Sequence, residues 1–156
     1  MMTADEILYK LAAKCSTSEQ CLSDMESKLA KYDLTEEERT HILRHLVDEK
    51  YIDDRRYAEA FVRDKYRFNK WGRIKIAQGL RMKGIDSETI SIAMEAIDEA
   101  EYLDILRDLI KAKRKSTRGK NDYEINGKLV RFATGRGFEY AAICQCMGTD
   151  DFDDWE

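Results

Sequence analysis

The sequence predicts an all-α protein, an elongated array of three tandem three-helix repeats. Apolar residues recur three or four positions apart along nearly all of the 156 residues, and no stretch alternates apolar and polar residues as a half-buried strand would. Proline, which interrupts helices, is absent. The apolar pattern also recurs at a period of about fifty residues, which is typical of stacked repeat units. We therefore expect about nine helices of roughly 10–16 residues, joined by short polar turns.

Capping residues predict where several of these helices begin and end. Thr35 and Glu38 have the spacing of a capping box, in which each side chain bonds the other residue's backbone N–H. Asp53 or Asp54 caps the helix that follows, where a carboxylate also suits the positive end of the helix dipole. Gly84 ends the next helix, because glycine tolerates the left-handed conformation that closes many helices.

The repeat is visible when the chain is compared with itself. A shift of 51 residues superimposes five apolar positions of the first unit on five of the second, and a shift of 53 relates the second unit to the third. The predicted domains are repeats at 1–51, 52–100 and 101–148, followed by an acidic tail at 149–156. The first comparison places Met25, Leu29, Leu34, Leu43 and Leu46 onto Ile76, Leu80, Ile85, Met94 and Ile97.

Charge is segregated along the chain, although the net charge is only −4. Residues 55–83 hold ten basic and two acidic side chains, and residues 107–136 hold ten basic and three acidic ones. The stretches around them are acidic. Two such basic blocks indicate a surface that binds a polyanion. The alternative is that both are solvated helix faces whose charges pair with the acidic stretches.

Nothing in the sequence indicates a membrane protein or a secreted one. No run approaches the roughly 18 apolar residues that a membrane span needs, and the first residues lack the pattern of a signal peptide. A cytoplasmic location is the expectation. In that reducing compartment the four cysteines are expected to be free thiols. They are Cys15, Cys21, Cys144 and Cys146.

The sequence predicts no catalytic residues, no metal and no cofactor. His41 and His45 are four residues apart but lack the glutamate of a metalloprotease motif, and Cys144 and Cys146 have no second pair with which to bind zinc. The glycines near 135–137 are not followed by the lysine and hydroxyl residue of a nucleotide-binding loop.

One segment carries a specific family resemblance. Residues 51–63 read Tyr-Ile-Asp-Asp-Arg-Arg-Tyr-Ala-Glu-Ala-Phe-Val-Arg, and Trp-Gly-Arg-Ile-Lys-Ile at 71–76 and Leu-Arg-Met-Lys-Gly-Ile at 80–85 follow. Together they resemble the signature of the RecX family, bacterial regulatory proteins that modulate the recombinase RecA. The positions that match the family pattern are Ile52, Asp53, Asp54, Arg56, Tyr57, Ala58, Phe61, Gly72, Leu80, Lys83 and Gly84.

The chain departs from that pattern at two helix positions. Arg73 stands where the family often has proline, and Gly79 stands where it usually has glutamate. A glycine inside a helix costs about 1 kcal/mol relative to alanine. The acidic tail at 149–156 lies outside the resemblance.

The resemblance implies a non-catalytic, monomeric regulator of DNA repair, recombination and the SOS response. It implies binding in the groove of the RecA filament and inhibition of ATP hydrolysis, strand exchange and co-protease activity. The implied partners are RecA and single-stranded DNA, with double-stranded DNA as a further candidate. A regulator of the helix-turn-helix type that binds duplex DNA is the alternative function, and a protein-only adaptor is another.

The predicted contact residues are basic side chains of the second and third repeats, which would face phosphates and give salt-dependent binding. Phe68 and Trp71 lie among them and either stack on bases or close a helix junction. The predicted contact residues are Arg63, Arg67, Lys70, Arg73, Lys75, Arg81, Lys83, Lys111, Lys113, Arg114, Lys115, Arg118 and Lys120.

Overall fold

A computed structural model describes residues 2–148, and within that range the chain forms nine α-helices and no strand. The prediction of an all-helical fold is confirmed. The predicted acidic tail lies outside the described residues. The helices are α1 (Ala4–Thr17), α2 (Leu22–Leu29), α3 (Glu36–Asp48), α4 (Asp54–Arg67), α5 (Arg73–Met82), α6 (Ser87–Met94), α7 (Glu99–Ser116), α8 (Asp122–Gly135) and α9 (Tyr140–Met147).

The described chain divides into two compact units. The first unit holds residues 2–60 and 80–93, and the second holds residues 61–79 and 94–148. Helices α4 and α5 each contribute residues to both units. The repeat boundaries inferred from sequence periodicity are a separate division of the chain and stay a prediction.

Helices α1, α2 and α3 enclose the core of the first unit. Their apolar stripes meet, as the spacing of these residues predicts. The capping box at the start of α3 is present, because Thr35 Oγ1 accepts the Glu38 N–H at 3.1 Å and Glu38 Oε1 accepts the Thr35 N–H at 2.9 Å. The buried cluster comprises Ile7, Leu11, Met25, Leu29, Ile42, Leu46 and Ile52.

The two aspartates at the start of α4 have different partners. Asp53 Oδ1 accepts the N–H groups of Arg55 and Arg56, at 3.0 and 3.2 Å, and therefore caps α4. Asp54 Oδ1 instead accepts the N–H of Leu22, the first residue of α2, at 2.9 Å. Since Cys21 makes no capping bond with its side chain, Asp54 supplies a cap to a helix that lies 32 residues earlier.

Helix α5 ends at Met82, two residues before the predicted glycine. Gly84 has φ +78°, in the left-handed region, and its N–H bonds the Arg81 carbonyl at 3.0 Å. The prediction of a glycine stop is confirmed. Lys50 and Lys70 also have positive φ, of 60° and 58°, where side chains are normally disfavoured.

The second unit depends on a close backbone contact between two glycines. The N–H of Gly72 donates to the Arg136 carbonyl at 2.8 Å, and the N–H of Ile74 donates to the Gly137 carbonyl at 3.0 Å. A Cβ on Gly72 would lie 2.3 Å from backbone atoms of Gly137, and a Cβ on Gly137 would lie 2.3 Å from Lys75 Cβ. Both positions therefore require glycine, and the turn between α8 and α9 completes the hydrogen bonding of the first turn of α5.

The unusual Gly79 has a packing reason. A Cβ at this position would lie 2.9 Å from Phe61 Cζ and 3.3 Å from Phe61 Cε1. The missing side chain makes room for the ring of Phe61, which packs edge-on to Trp71 with the ring centroids 6.4 Å apart. The helix propensity lost at Gly79 is thus offset by aromatic packing.

We expect Gly137→Ala to lower the free energy of unfolding by about 2–4 kcal/mol, because it adds a clash with Lys75 and strains a left-handed residue, at φ +93°. Urea denaturation followed by circular dichroism measures this loss. Gly135→Ala is the matched control, since a Cβ there meets nothing within 4 Å. We expect it to change stability by less than about 0.5 kcal/mol or to increase it slightly. Equal effects of the two substitutions would contradict the contact.

Candidate nucleic-acid interface

Arg73 is one of the predicted contact residues, but its backbone N–H and its guanidinium already bind other residues of the second unit. Its backbone N–H donates to Tyr102 Oη at 2.9 Å, and its guanidinium lies over the Tyr102 ring, 4.1 Å from the centroid. The same guanidinium bonds Glu139 at 2.8 Å and also pairs with Glu99. Although burial opposes the charged form, these two carboxylates raise the pKa of Arg73. Its charge is therefore balanced within the protein.

Tyr102 connects this group of residues to the core. It is fully buried, its hydroxyl donates to Glu139, and its ring packs against Phe138 with the centroids 5.2 Å apart. Burial, followed by the bond to Glu139, raises the pKa of Tyr102 above its ordinary value. The hydroxyl therefore stays protonated and continues to donate.

Arg67 and Lys83 are also paired. Arg67 Nε lies 3.1 Å from Glu101, which accepts a second bond from the Tyr66 hydroxyl at 2.5 Å. The bond from Tyr66, more than the one from Arg67, lowers the pKa of Glu101. In the first unit, Lys83 Nζ bonds Asp24 at 2.8 Å, which raises the pKa of Lys83. Both cations thus stabilise their own units.

Two lysines without carboxylate partners share the ring of Trp71. Lys65 Nζ lies 4.8 Å and Lys75 Nζ 4.5 Å from the ring centroid, within the range of a cation–π interaction. Across residues 2–148, no acidic oxygen lies within 4 Å of either ammonium group. Trp71 is half-buried and packs on Phe61, so it closes the junction between α4 and α5.

The corner before Trp71 presents an exposed aromatic ring and an exposed cation. Phe68 is 78 % exposed, and Lys70 is exposed at its positive φ. The Arg136 guanidinium donates to the Asn69 carbonyl between them at 3.0 Å. Of the two aromatic residues that the sequence singles out, Phe68 is the one with a ring accessible to a base.

A second aromatic ring continues the pattern on α8. The Phe132 ring lies 5.1 Å from Lys113 Nζ and 5.6 Å from the Arg136 guanidinium carbon. Arg136 also bonds the Asn69 carbonyl, two residues before Trp71, and so connects the cations around Phe132 with those around Trp71. We call this set the cation–aromatic strip. It consists of Lys65, Trp71, Lys75, Arg136, Phe132 and Lys113.

The remaining predicted contact residues are exposed. The basic residues in the last turn of α7, Lys113, Arg114 and Lys115, also stabilise the helix, because cations interact favourably with the negative end of its dipole. Arg114 bonds the Asn126 side chain at 3.0 Å, and the Arg118 carbonyl accepts Lys128 at 2.6 Å. The exposed set comprises Arg63, Arg81, Lys111, Arg114, Lys115, Arg118 and Lys120.

Lys65 and Arg136 belong to the two basic blocks of the sequence but were not among the predicted contact residues, and Phe132 was not predicted at all. Helical spacing offered a signal for the last two, because Phe132 and Arg136 are four residues apart and neighbours four apart meet on a helix surface. Lys65 had no such signal, since its contact with Trp71 depends on the turn between α4 and α5.

The described residues hold no group of three or more histidine, cysteine or acidic side chains that could bind a metal. His45 stacks on Tyr51 with the centroids 6.3 Å apart, while His41 is exposed. None of the four cysteines forms a disulfide among the described residues. Within the same residues, no helix is both long enough and apolar enough to cross a bilayer.

We expect Tyr102→Phe to lower the free energy of unfolding by about 1–3 kcal/mol, because the Arg73 N–H loses its acceptor and Glu139 loses a donor. Thermal and urea unfolding measure the change. Tyr123→Phe removes the same hydroxyl from a residue that is 54 % exposed, and we expect it to cost less than about 0.5 kcal/mol. A Tyr102→Phe variant as stable as this control would refute the capping role of the hydroxyl.

Several curated relatives align with most of this chain, and each is named "Regulatory protein RecX". The protein from Mycolicibacterium smegmatis is 28 % identical over 120 residues, which are 74 % of this chain and 64 % of the relative. That from Clostridium acetobutylicum is 27 % identical over 150 residues, which cover 92 % of this chain and 69 % of the relative. That from Oceanobacillus iheyensis is 31 % identical over 144 residues, which cover 89 % of this chain and 52 % of the relative. The chain thus spans between about half and about two-thirds of the length of these relatives.

Two solved structures share the fold. A crystal structure of regulatory protein RecX matches with a TM-score of 0.80 and 23 % identity, covering 93 % of this chain and 75 % of that one. A structure of RecX from Lactobacillus salivarius matches with a TM-score of 0.80 and 22 % identity, covering 93 % and 94 %. At this level of identity the likeness establishes the fold alone.

Family models give the most specific comparison. The model described as RecX, second three-helix domain, matches residues 53–94, and that of the third three-helix domain matches residues 99–147. These ranges contain the sequence signature except Ile52, together with the paired glycines and the cation–aromatic strip. The chain belongs to the RecX family.

Proposed function

We propose that this chain is a non-catalytic regulator of RecA that binds the RecA–DNA filament. Membership of a family whose proteins are named as regulators supports the general role. The observation that carries the DNA-binding part is the cation–aromatic strip, in which Lys65 and Lys75 share Trp71 and have no carboxylate partner in the described chain. The proposed effects are inhibition of ATP hydrolysis, strand exchange and co-protease activity.

The strip suits phosphates that lie along a strand. Each ammonium or guanidinium that meets a phosphate releases counterions, so the affinity depends strongly on salt. The exposed Phe68 ring, next to Lys70, offers a base a stacking surface of the kind that proteins use for single strands. The combination favours a single strand or a filament over a duplex read by sequence.

The contact surface that we propose differs from the set predicted from sequence. Arg67, Arg73 and Lys83 hold internal ion pairs, so their role is to position other residues. Lys65 and Arg136 join the surface. The proposed contacts are Arg63, Lys65, Lys70, Lys75, Arg81, Lys111, Lys113, Arg114, Lys115, Arg118, Lys120 and Arg136.

Inhibition follows if one molecule contacts several neighbouring units of the filament. A ligand that binds one conformation of the filament better than the others shifts the population toward it. The changes that accompany each round of ATP hydrolysis are then opposed by the binding free energy. This mechanism requires no catalytic group on the regulator.

The first test removes both free cations from Trp71. We expect Lys65→Gln/Lys75→Gln to raise the concentration that half-inhibits RecA ATP hydrolysis on single-stranded DNA by about tenfold, since each lost phosphate contact costs roughly 0.7–1 kcal/mol. ATP turnover is measured while the protein is titrated into preformed filaments.

Arg44→Gln is the matched control, because it removes an exposed charge from α3 in the first unit. It should leave the titration unchanged. Unaltered inhibition by the double variant would refute the strip as the contact surface. Tight binding to one duplex sequence without any effect on RecA would favour the helix-turn-helix alternative.

Lys70 permits a test in which one substitution leaves the stability the same or raises it while it weakens binding to DNA. Lys70→Gly relieves a left-handed residue, so we expect the free energy of unfolding to stay the same or rise by up to about 1 kcal/mol. It also removes one cation, so the slope of log affinity for single-stranded DNA against log salt should become shallower by about one. Anisotropy titrations at several salt concentrations measure the slope. An unchanged slope would remove Lys70 from the surface.

A further inference from the structure

A groove of about 630 Å³ lies on the first unit, between α1 and the end of α2. Lys10, Lys14 and Ala13 of α1 line one side of it, and Lys31 and Tyr32, which follow α2, line the other. We call it the lysine groove. It lies outside the two ranges that match RecX domains, 53–94 and 99–147.

The charge of the groove is opposite to that of its surroundings. Residues 1–54 carry seven basic and thirteen acidic side chains, yet four of the seven basic ones line this groove. Lys28 donates to Gln20 Oε1 at 3.2 Å. Lys10, Lys14 and Lys31 are exposed, and in residues 2–148 none has a carboxylate within 4 Å. The fold thus concentrates three uncompensated cations at one place in an acidic segment.

That concentration costs stability. Lys10 and Lys14 are four residues apart on one helix, where like charges repel by a few tenths of a kcal/mol. Glu6, four residues before Lys10 on the same helix, offsets part of this repulsion at Lys10, whereas Lys14 has no acidic residue three or four positions away. An anionic ligand would remove it, so the arrangement favours binding over stability.

The floor of the groove is apolar. Leu11, at the floor, is only 3 % exposed, so Ala13 and the half-buried ring of Tyr32, on the two sides, supply most of the apolar surface. A simple anion would leave this floor in contact with water, whereas an apolar side chain would bury it. The ligand class is therefore one that combines negative charge with an aromatic or aliphatic group.

We propose that the lysine groove binds an acidic segment of a partner protein that inserts an aromatic side chain. The lysines speed association and make it depend on salt, and the inserted aromatic side chain slows dissociation of the complex. Nucleic acid also joins negative charge to aromatic rings, so competition by a single-stranded oligonucleotide decides between these two classes of ligand. This site is independent of the proposed contact with the RecA–DNA filament.

The test uses a fluorescein-labelled peptide, Asp-Glu-Phe-Asp-Glu-Trp, and fluorescence anisotropy with the full chain. We expect saturable binding that Lys14→Glu weakens by about tenfold and that Arg44→Glu, the matched reversal on α3, leaves unchanged. Lys31→Glu, outside any helix, should weaken binding similarly and keeps the test valid if Lys14→Glu unfolds. A peptide with both aromatic residues replaced by alanine should bind about tenfold more weakly.

Four outcomes would overturn the proposal. The first is no saturable binding up to about 1 mM peptide. The second is a loss of the same size in Arg44→Glu, which would show attraction to net charge alone. The third is a chain ending at residue 148 that binds more than tenfold tighter than the full chain, which would make the acidic tail the occupant in place of a partner. Efficient displacement of the peptide by a single-stranded oligonucleotide would likewise assign the groove to nucleic acid.

Discussion

The approach of Gly72 to Gly137 is the constraint on which the second unit depends. The first turn of any helix has N–H groups without helical partners, and at α5 these groups bond the turn between α8 and α9 and the hydroxyl of Tyr102. The backbone segments come so close that neither glycine can carry a Cβ. The start of α5 is thereby fixed, and with it the positions of Trp71 and of Arg73. The places of Trp71 and Lys75 in the cation–aromatic strip follow from this backbone contact.

The features that were predictable from sequence are those that local chemistry determines. The capping box at Thr35, the glycine stop at Gly84 and the helical periodicity each depend on residues within one or two turns of one another. The family signature was recognisable for the same reason, since it consists of short segments between residues 51 and 85, within and just before the second three-helix domain. Local rules also limited the cap of α4 to Asp53 or Asp54, but only the fold showed that Asp54 serves α2.

The candidate site was harder to predict, because the role of a cation depends on partners far along the chain. Arg67, Arg73 and Lys83 look like Lys70 and Lys75 in the sequence, yet their acidic partners lie 34, 66 and 59 residues away. Gly79 looked like a weak point in α5 until the ring of Phe61 was found to occupy the space. Charge density along a sequence thus locates a block of basic residues, while tertiary pairing decides which of them remain available.

The ion pairs also bear on the proposed polyanion surface of a chain whose net charge is −4. Glu99, Glu101 and Glu139 lie in the same unit as the strip and would repel phosphates if they were free. Arg67, Arg73 and the hydroxyls of Tyr66 and Tyr102 bind all three, so these carboxylates are largely neutralised. Since salt screens exposed charges over about 10 Å, the charges along the strip, on Lys65, Lys75 and Lys113, are the ones that act most strongly on a strand bound there in the proposed complex. In the proposed complex, Arg67 and Arg73 make no direct contact and contribute instead by neutralising the acidic groups beside the strip.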